Sequence, residues 1–337
     1  MGVYWFMKNK ILRGSIPYYS ASAGLHIIGI VLLLIAGLHS PSFWGMSFLA
    51  YSLGLRHAFD ADHIAAIDNT VRKLVQQNKK TYGVGFYFSL GHSTVVFLMA
   101  IVVSISVKWA KVKLPFLEAV GGQIGSLVSG SFLIIVALFN LLILVSMHKS
   151  LEKMKQGNFD ESKLNELLLS RGFLARLLAP LFKCIDHSWQ MYPIGFLFGL
   201  GFDTATEIAL IALSASAAQS SISGLGIIAL PVLFAAGMNL MDTTDSVMMS
   251  GAYNWAFDTP VRKVYYNLTV TTVSVIAAFV IGGIELLQVV TSMTNVKSWV
   301  QNIDFNYLGY ILVLIFIAMW GFAYLIWRFF IKKREAI

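Results

Sequence analysis

Long apolar runs separated by short polar clusters dominate the chain. Positions 14–55, 42 residues, contain no Asp, Glu, Lys or Arg. About 20 apolar residues cross the hydrocarbon core of a bilayer. This run therefore holds one span, a tight turn near 39–42 and the start of a second span. Positions 81–107, 119–148, 264–284 and 305–327 are equally free of charge, and 208–241 covers parts of two helices with a turn around 220–224. The pattern predicts eight transmembrane helices, at 18–38, 43–68, 82–107, 122–147, 191–216, 225–250, 264–290 and 307–329. The expected fold class is an all-α integral membrane protein. The first apolar stretch runs straight into the second, so a cleaved signal peptide is not expected. Position 6 is Phe, so the myristoylation pattern after Met1-Gly2 fails.

Composition agrees and narrows the classes. The chain is 57% hydrophobic and only 12% charged, about half the charge of a soluble domain. A soluble globular protein, a disordered tail and a nucleic-acid module are excluded. Cys184 is the single cysteine, so neither an internal disulfide nor a multi-cysteine zinc, haem or iron–sulfur site can form. The net charge of +8 is a topology signal. With both termini cytoplasmic, inner segments hold twenty Lys and Arg, outer loops hold four (Lys108, Lys111, Lys113, Lys297), and Arg56 lies within a span.

The longest polar stretch, 148–190, is expected to be a cytoplasmic connection of one or two short surface helices. It divides the chain into an N-terminal half, 1–147, and a C-terminal half, 191–337, of four helices each. Phe59-Asp60-Ala61-Asp62-His63-Ile64-Ala65 is weakly echoed by Phe202-Asp203-Thr204-Ala205-Thr206-Glu207-Ile208-Ala209. The echo points to a parallel repeat, an arrangement that places a substrate site at the repeat interface near the midplane.

Charges inside the spans need a reason. Each costs at least about 2.5–3.5 kcal/mol at the bilayer centre. The second, fifth and sixth spans carry Arg56 against seven acids: Asp60, Asp62, Asp68, Asp203, Glu207, Asp242 and Asp245. His57, His63 and, on the third span, His92 accompany them. Several acids must be protonated, or a cation completes the site. Asp203 and Glu207 share a helix face, as do Asn239, Asp242 and Asp245, and Ser89, His92 and Ser93. His57 and Asp62 are about 140° apart on a straight helix, and His57 and His63 about 120°. A regular helix cannot aim these three at one point, which predicts a break, a bulge or several facing helices here. Blander roles are expected elsewhere. Arg56 and Asp60 form a structural i,i+4 pair, Asp68 faces water near the cytoplasmic end, Glu285 sits at the outer interface, and His26 is packed and hydrogen-bonded.

Imidazole with carboxylate and no thiolate suits Ni, Co, Zn or Fe; a Mg or Ca site would use oxygen alone. A transition-metal cation transporter is the reading on chemistry. An intramembrane metalloenzyme and an exporter of the same metals are the alternatives. The chain has no His-Glu-x-x-His, too few histidines for the His boxes of a di-iron enzyme, and only His148 and His187 in the connecting segment, where an exporter would be richer. There is no P-loop, so no ATPase is expected.

Arg56-His57-Ala58-Phe59-Asp60-Ala61-Asp62-His63-Ile64 contains His-x4-Asp-His and resembles the second-helix motif of the nickel/cobalt transporter family (NiCoT). Phe88-Ser89-Leu90-Gly91-His92-Ser93-Thr94-Val95-Val96, Leu200-Gly201-Phe202-Asp203-Thr204-Ala205-Thr206-Glu207 and Gly237-Met238-Asn239-Leu240-Met241-Asp242-Thr243-Thr244-Asp245 resemble three further family stretches, in the same order. The resemblance implies high-affinity uptake of Ni2+ or Co2+ across the cell membrane by a secondary transporter. The ion is its substrate and no resident cofactor is expected. It carries metal binding onto His57, Asp62 and His63, and further onto Asp60, His92, Asp203, Glu207, Asp242 and Asp245. On this expectation His57 and His63 donate nitrogen, and Asp62 either donates or orients a histidine. His92 completes or gates the site. The remaining acids balance the charge and line the exit.

Overall fold

A computed structural model describes residues 2–38, 40–105, 107–155, 185–201, 204–220, 222–257, 260–294, 296, 298–303 and 307–326. Ten α-helices make up nearly all of them: α1 (Gly2–Gly37), α2 (Pro41–His57), α3 (Ala61–Gln76), α4 (Val84–Ile105), α5 (Val107–Lys155), α6 (Met191–Gly199), α7 (Ala205–Gln219), α8 (Gly224–Phe257), α9 (Pro260–Thr294) and α10 (Leu308–Ile326). Two 3-10 turns, Ser188–Gln190 and Trp299–Asn302, complete them, and no strand occurs among the described residues. Segments of α1, α4, α5, α8 and α9 are long and apolar enough to cross a membrane, and α7 and α10 carry shorter apolar stretches. Side chains such as Ile27, Leu34, Leu127, Ile276 and Leu314 project outward. Water penalises such a surface, and lipid does not. This is a multi-pass membrane architecture.

Two predicted spans are each split. The second breaks at residues 58–60 into α2 and α3, which meets the expectation from the His57/Asp62/His63 spacing. The fifth, expected to be continuous over 191–216, stops at Gly199 and restarts at Ala205. One further expectation is corrected: residues 108–121 belong to α5 rather than to an outer loop. Arg72 and Lys73, counted among the cytoplasmic-side charges, are buried side chains of α3. Of the connecting segment, 156–184 lies outside the described residues.

Helix α8 is the hub. It packs on α1, α2, α3, α4, α7 and α9, while α4 runs along α6 and α5 along α9. Packing therefore runs across the expected midpoint of the chain. One apolar core joins Ile67, Leu74, Phe88, Leu133, Phe198 and Ile281; a second joins Phe43, Val96, Leu210, Leu230 and Phe234. Lipid supplies no hydrophobic drive between helices, so close backbone approach must supply contact. A Cβ on Gly195 of α6 would lie 1.9 Å from the Phe88 carbonyl oxygen of α4, and one on Gly91 of α4 would lie 2.0 Å from the Tyr192 carbonyl oxygen. The reciprocal pair brings α4, and with it His92, against the second broken span.

Helix α3 ends in a left-handed residue, Asn78 (φ 55°), with the Lys79 N–H donating to Leu74 O at 2.8 Å, a common helix C-terminal motif. The segment after 184 straps onto this end. Lys73 Nζ donates to Ile185 O at 2.9 Å, Ser188 Oγ donates to Lys80 O at 2.8 Å, and Lys79 Nζ lies 2.7 Å from Asp186 Oδ1. The Lys79 hydrogen bond holds the Asp186 carboxyl below its usual range.

Candidate metal centre

The site forms where the two breaks meet α4 and α8. His57 is the last residue of α2, and the chain turns through Ala58, Phe59 and Asp60 before α3 begins. Helix α10 closes over this turn. A Cβ on Gly309 would fall on the Phe59 carbonyl, and the Tyr310 ring stacks on Phe59 at 4.9 Å between centroids. The turn lets His57 and His63 look inward together. Their ring centroids are 4.7 Å apart, and both rings face His92 of α4, at 4.7 and 4.8 Å. One nitrogen from each of the three lies within 4.8 Å of the others. His57 and His63 are each 1% exposed and His92 is 3%.

Carboxylates and hydroxyls stand behind the rings. Asp60 Oδ2 lies 2.8 Å from His57 Nδ1, and Thr206 Oγ1 lies 2.9 Å from the same nitrogen. The opposite nitrogen, Nε2, is turned to His92 Nε2 at 2.8 Å. His92 Nε2 is also 2.9 Å from Glu207 Oε1, whose partner oxygen accepts from Thr204 Oγ1 at 2.9 Å. Asp242 Oδ2 of α8 lies 3.2 Å from His63 Nδ1, and His63 Nε2 has no hydrogen-bond partner among the described residues. Carboxylate behind imidazole fixes ring orientation and tautomer and leaves the other nitrogen for an ion. Phe88, edge-on to His63 at 4.8 Å, and Phe234, 5.6 Å from His57, form apolar walls.

Both restarted helices give up a local hydrogen bond to build this. Asp60 and Thr204 occupy the N-cap positions of α3 and α7, yet neither side chain caps its own helix. A good N-cap contributes about 0.5–2 kcal/mol. Here Asp60 turns to His57 and Thr204 to Glu207. Such local conflicts are expected at functional sites. The helix ends suit the charges: α2 presents its carbonyl end, favourable to a cation, while Asp62 and Glu207 occupy the first turns of α3 and α7.

The expected residues divide as follows. His57, Asp60, His63, His92, Glu207 and Asp242 converge. Asp62 is only partly buried, and its Oδ1 accepts from the His63 backbone N–H at 2.9 Å; the carboxylates behind the imidazoles are those of Asp60 and Asp242. Asp245 is buried one turn beyond Asp242, and neither of its oxygens has a hydrogen-bond partner among the described residues. Asp203 lies outside the described residues. Of the blander expectations, His26 is packed and bonded, to Ser22 O at 2.8 Å and Tyr51 Oη at 3.2 Å. One other is corrected: Asp68, expected to face water, is fully buried against Arg72. Arg56 and Asp60 lie on either side of the break, and the Arg56 side chain is exposed. Glu285 is buried and accepts from Ser129 Oγ at 2.6 Å. Sequence reasoning missed Thr204 and Thr206. Their only signal was position, inside the third quoted stretch beside Glu207.

The family model described as "High-affinity nickel-transport protein" matches residues 43–326. A nickel transporter, NixA, of Staphylococcus aureus is 54% identical over 326 residues, covering 96% of each chain. A high-affinity nickel-transport protein, NixA, of Helicobacter pylori strain J99 is 48% identical over 330 residues, covering 95% of this chain and 98% of its own. A cobalt transport protein, NhlF, of Rhodococcus rhodochrous is 36% identical over 313 residues, covering 89% of this chain and 88% of its own. No solved structure matches.

Proposed function

This chain belongs to the high-affinity nickel-transport protein family, the nickel/cobalt transporters that its four motifs resemble, and we propose that it carries Ni2+, with Co2+ as a second substrate, into the cell as a secondary transporter. The reading places it in the cytoplasmic membrane with eight spans, each broken helix counting once. Both termini and the 148–190 connection are cytoplasmic, and the site lies near the midplane between the 1–147 and 191–337 halves.

The observation that carries this reading is the convergence of three buried imidazoles, two of them backed by carboxylates, on one point beside a broken helix. The ion arrives from outside, wholly or partly dehydrated. His57, His63 and His92 donate nitrogen, Glu207 supplies oxygen, and Asp60 and Asp242 brace the rings and balance charge. Asp62 and Asp203 complete the charge at the two breaks, and Asp245 takes the ion onward. Imidazole nitrogen with carboxylate oxygen and no thiolate is a donor set that suits Ni2+ and Co2+. An inside-negative potential supplies about 2.3 kcal/mol per charge per 100 mV, hence about 4.6 kcal/mol for a divalent ion and roughly three decades of accumulation.

The test is uptake of radiolabelled Ni2+ by cells expressing the wild type or His57→Ala, with unlabelled Co2+, Zn2+ and Mn2+ as competitors. The reading expects uptake to vanish in the variant and Co2+ to compete best. Undiminished uptake by His57→Ala would refute the site assignment, and Zn2+ competing as well as Co2+ would refute the choice of second substrate.

A further inference from the structure

Beyond the histidines, buried acids continue between α8 and α3 until they meet a fixed cation. Asp245 is 8% exposed, with both oxygens unpartnered among the described residues, and lies within Coulombic range of Asp242 and Asp68. Asp68 on α3 is wholly buried, and Arg72 Nη2 lies 2.8 Å from its Oδ2. The same nitrogen donates to Tyr253 Oη of α8 at 2.6 Å and to Ser274 Oγ of α9. Tyr253 Oη donates to the other oxygen of Asp68. The guanidinium carbon stands 5.0 Å over the Tyr253 ring. Three helices are thus tied through one buried charge.

The order of groups has a consequence. A buried carboxylate needs a positive partner or a proton. Asp68 has a permanent one, because arginine stays charged. Asp245 has none. An ion leaving the histidines would meet Asp242 and then Asp245, and would find Asp68 already taken. It could advance only by displacing the guanidinium, and displacement would also break the Arg72 ties from α3 to Tyr253 of α8 and Ser274 of α9.

We propose that Arg72 is a tethered counter-ion that closes the inner end of the path: it occupies Asp68 while no metal is there and gives it up to the arriving ion. Arg72 is a positioning residue, since it repels the ion and binds none. The proposal rests on the transport reading above and adds its gate.

Counting ions separates a gate from a structural tie. Equilibrium dialysis of the full-length chain in detergent against radiolabelled Ni2+ is expected to give one ion per chain for the wild type. Arg72→Gln leaves Asp68 and Asp245 without a cation, so a second ion binds, and uptake by cells falls about tenfold or more. Asp68→Asn combined with Arg72→Gln returns the count to one. Arg72→Lys keeps the charge, hence one ion and uptake above that of Arg72→Gln; it also serves if the Gln variant does not fold. A single ion at unchanged affinity in Arg72→Gln overturns the proposal. So does a second ion that persists without Asp68, or Arg72→Lys losing uptake as fully as Arg72→Gln. His57→Ala with Arg72→Gln is expected to keep the inner ion and lose the outer one. If His57→Ala alone leaves binding intact, the histidine assignment fails, and the count in Arg72→Gln still judges the gate.

Discussion

Nε2 of His57 lies 2.8 Å from Nε2 of His92, two ring nitrogens from different helices turned toward each other in a site closed to water. At this distance one ring nitrogen carries its N–H and donates to the other. Binding a metal requires that proton to leave, which frees both nitrogens for the ion. The brace on the far side of His57, Thr206 with Asp60, keeps this nitrogen forward.

Thr206→Val keeps the side-chain shape and removes the hydroxyl at His57 Nδ1. Groups that orient a metal-binding histidine typically contribute about 10–100-fold in affinity. Ni2+ affinity of the purified variant should fall within that range, and Thr206→Ser should recover most of it. Titration calorimetry reads both. Equal loss in Val and Ser variants would mean that packing, not the hydroxyl, is what matters.

Gly195 has no room for a side chain against Phe88 O. Gly195→Ala must part α4 from α6, at about 1–3 kcal/mol for overpacking. The variant should melt earlier in detergent and take up Ni2+ more slowly, because His92 rides on α4. An unchanged melting temperature would show that the two helices approach less closely.

Asp186 offers a pH test outside the spans. Its carboxyl is held low by the Lys79 hydrogen bond. A depressed folded-state value means that the pair stabilises above the unfolded value and stops doing so as pH falls through the folded one. Both side chains are 35% exposed, so the gain is at most about 1 kcal/mol. Asp186→Asn should lower the melting temperature slightly at neutral pH, with the difference closing under acid conditions. A difference that widens in acid would reverse the sign of the argument.

Bound metal should stabilise the fold. At a concentration about 100 times its dissociation constant, Ni2+ adds about 2.7 kcal/mol. A thermal-shift series should show this for the wild type and lose it in His63→Ala. Equal shifts in both proteins would place the ion elsewhere.

How far the sequence reads is decided by range. The break after His57 is legible because three site residues within seven positions cannot share a straight helix face. The stop of α6 at Gly199 and the restart at Ala205 are not, since no such conflict marks them. That Asp242 backs His63 could not be foreseen, because 179 residues separate them and only packing of α8 on α3 joins them. The same holds for Arg72, read from its neighbours as a flanking charge and buried by Tyr253 and Ser274. Local spacing reports what one helix must do, whereas partners of buried charges are chosen by tertiary contact.

Nickel K-edge X-ray absorption on the loaded, purified protein examines the coordination sphere itself. Three imidazole rings around the ion, no sulfur, and one ring fewer in His92→Ala is the result predicted here. A shell of oxygen alone, identical in the wild type and in His92→Ala, would contradict it.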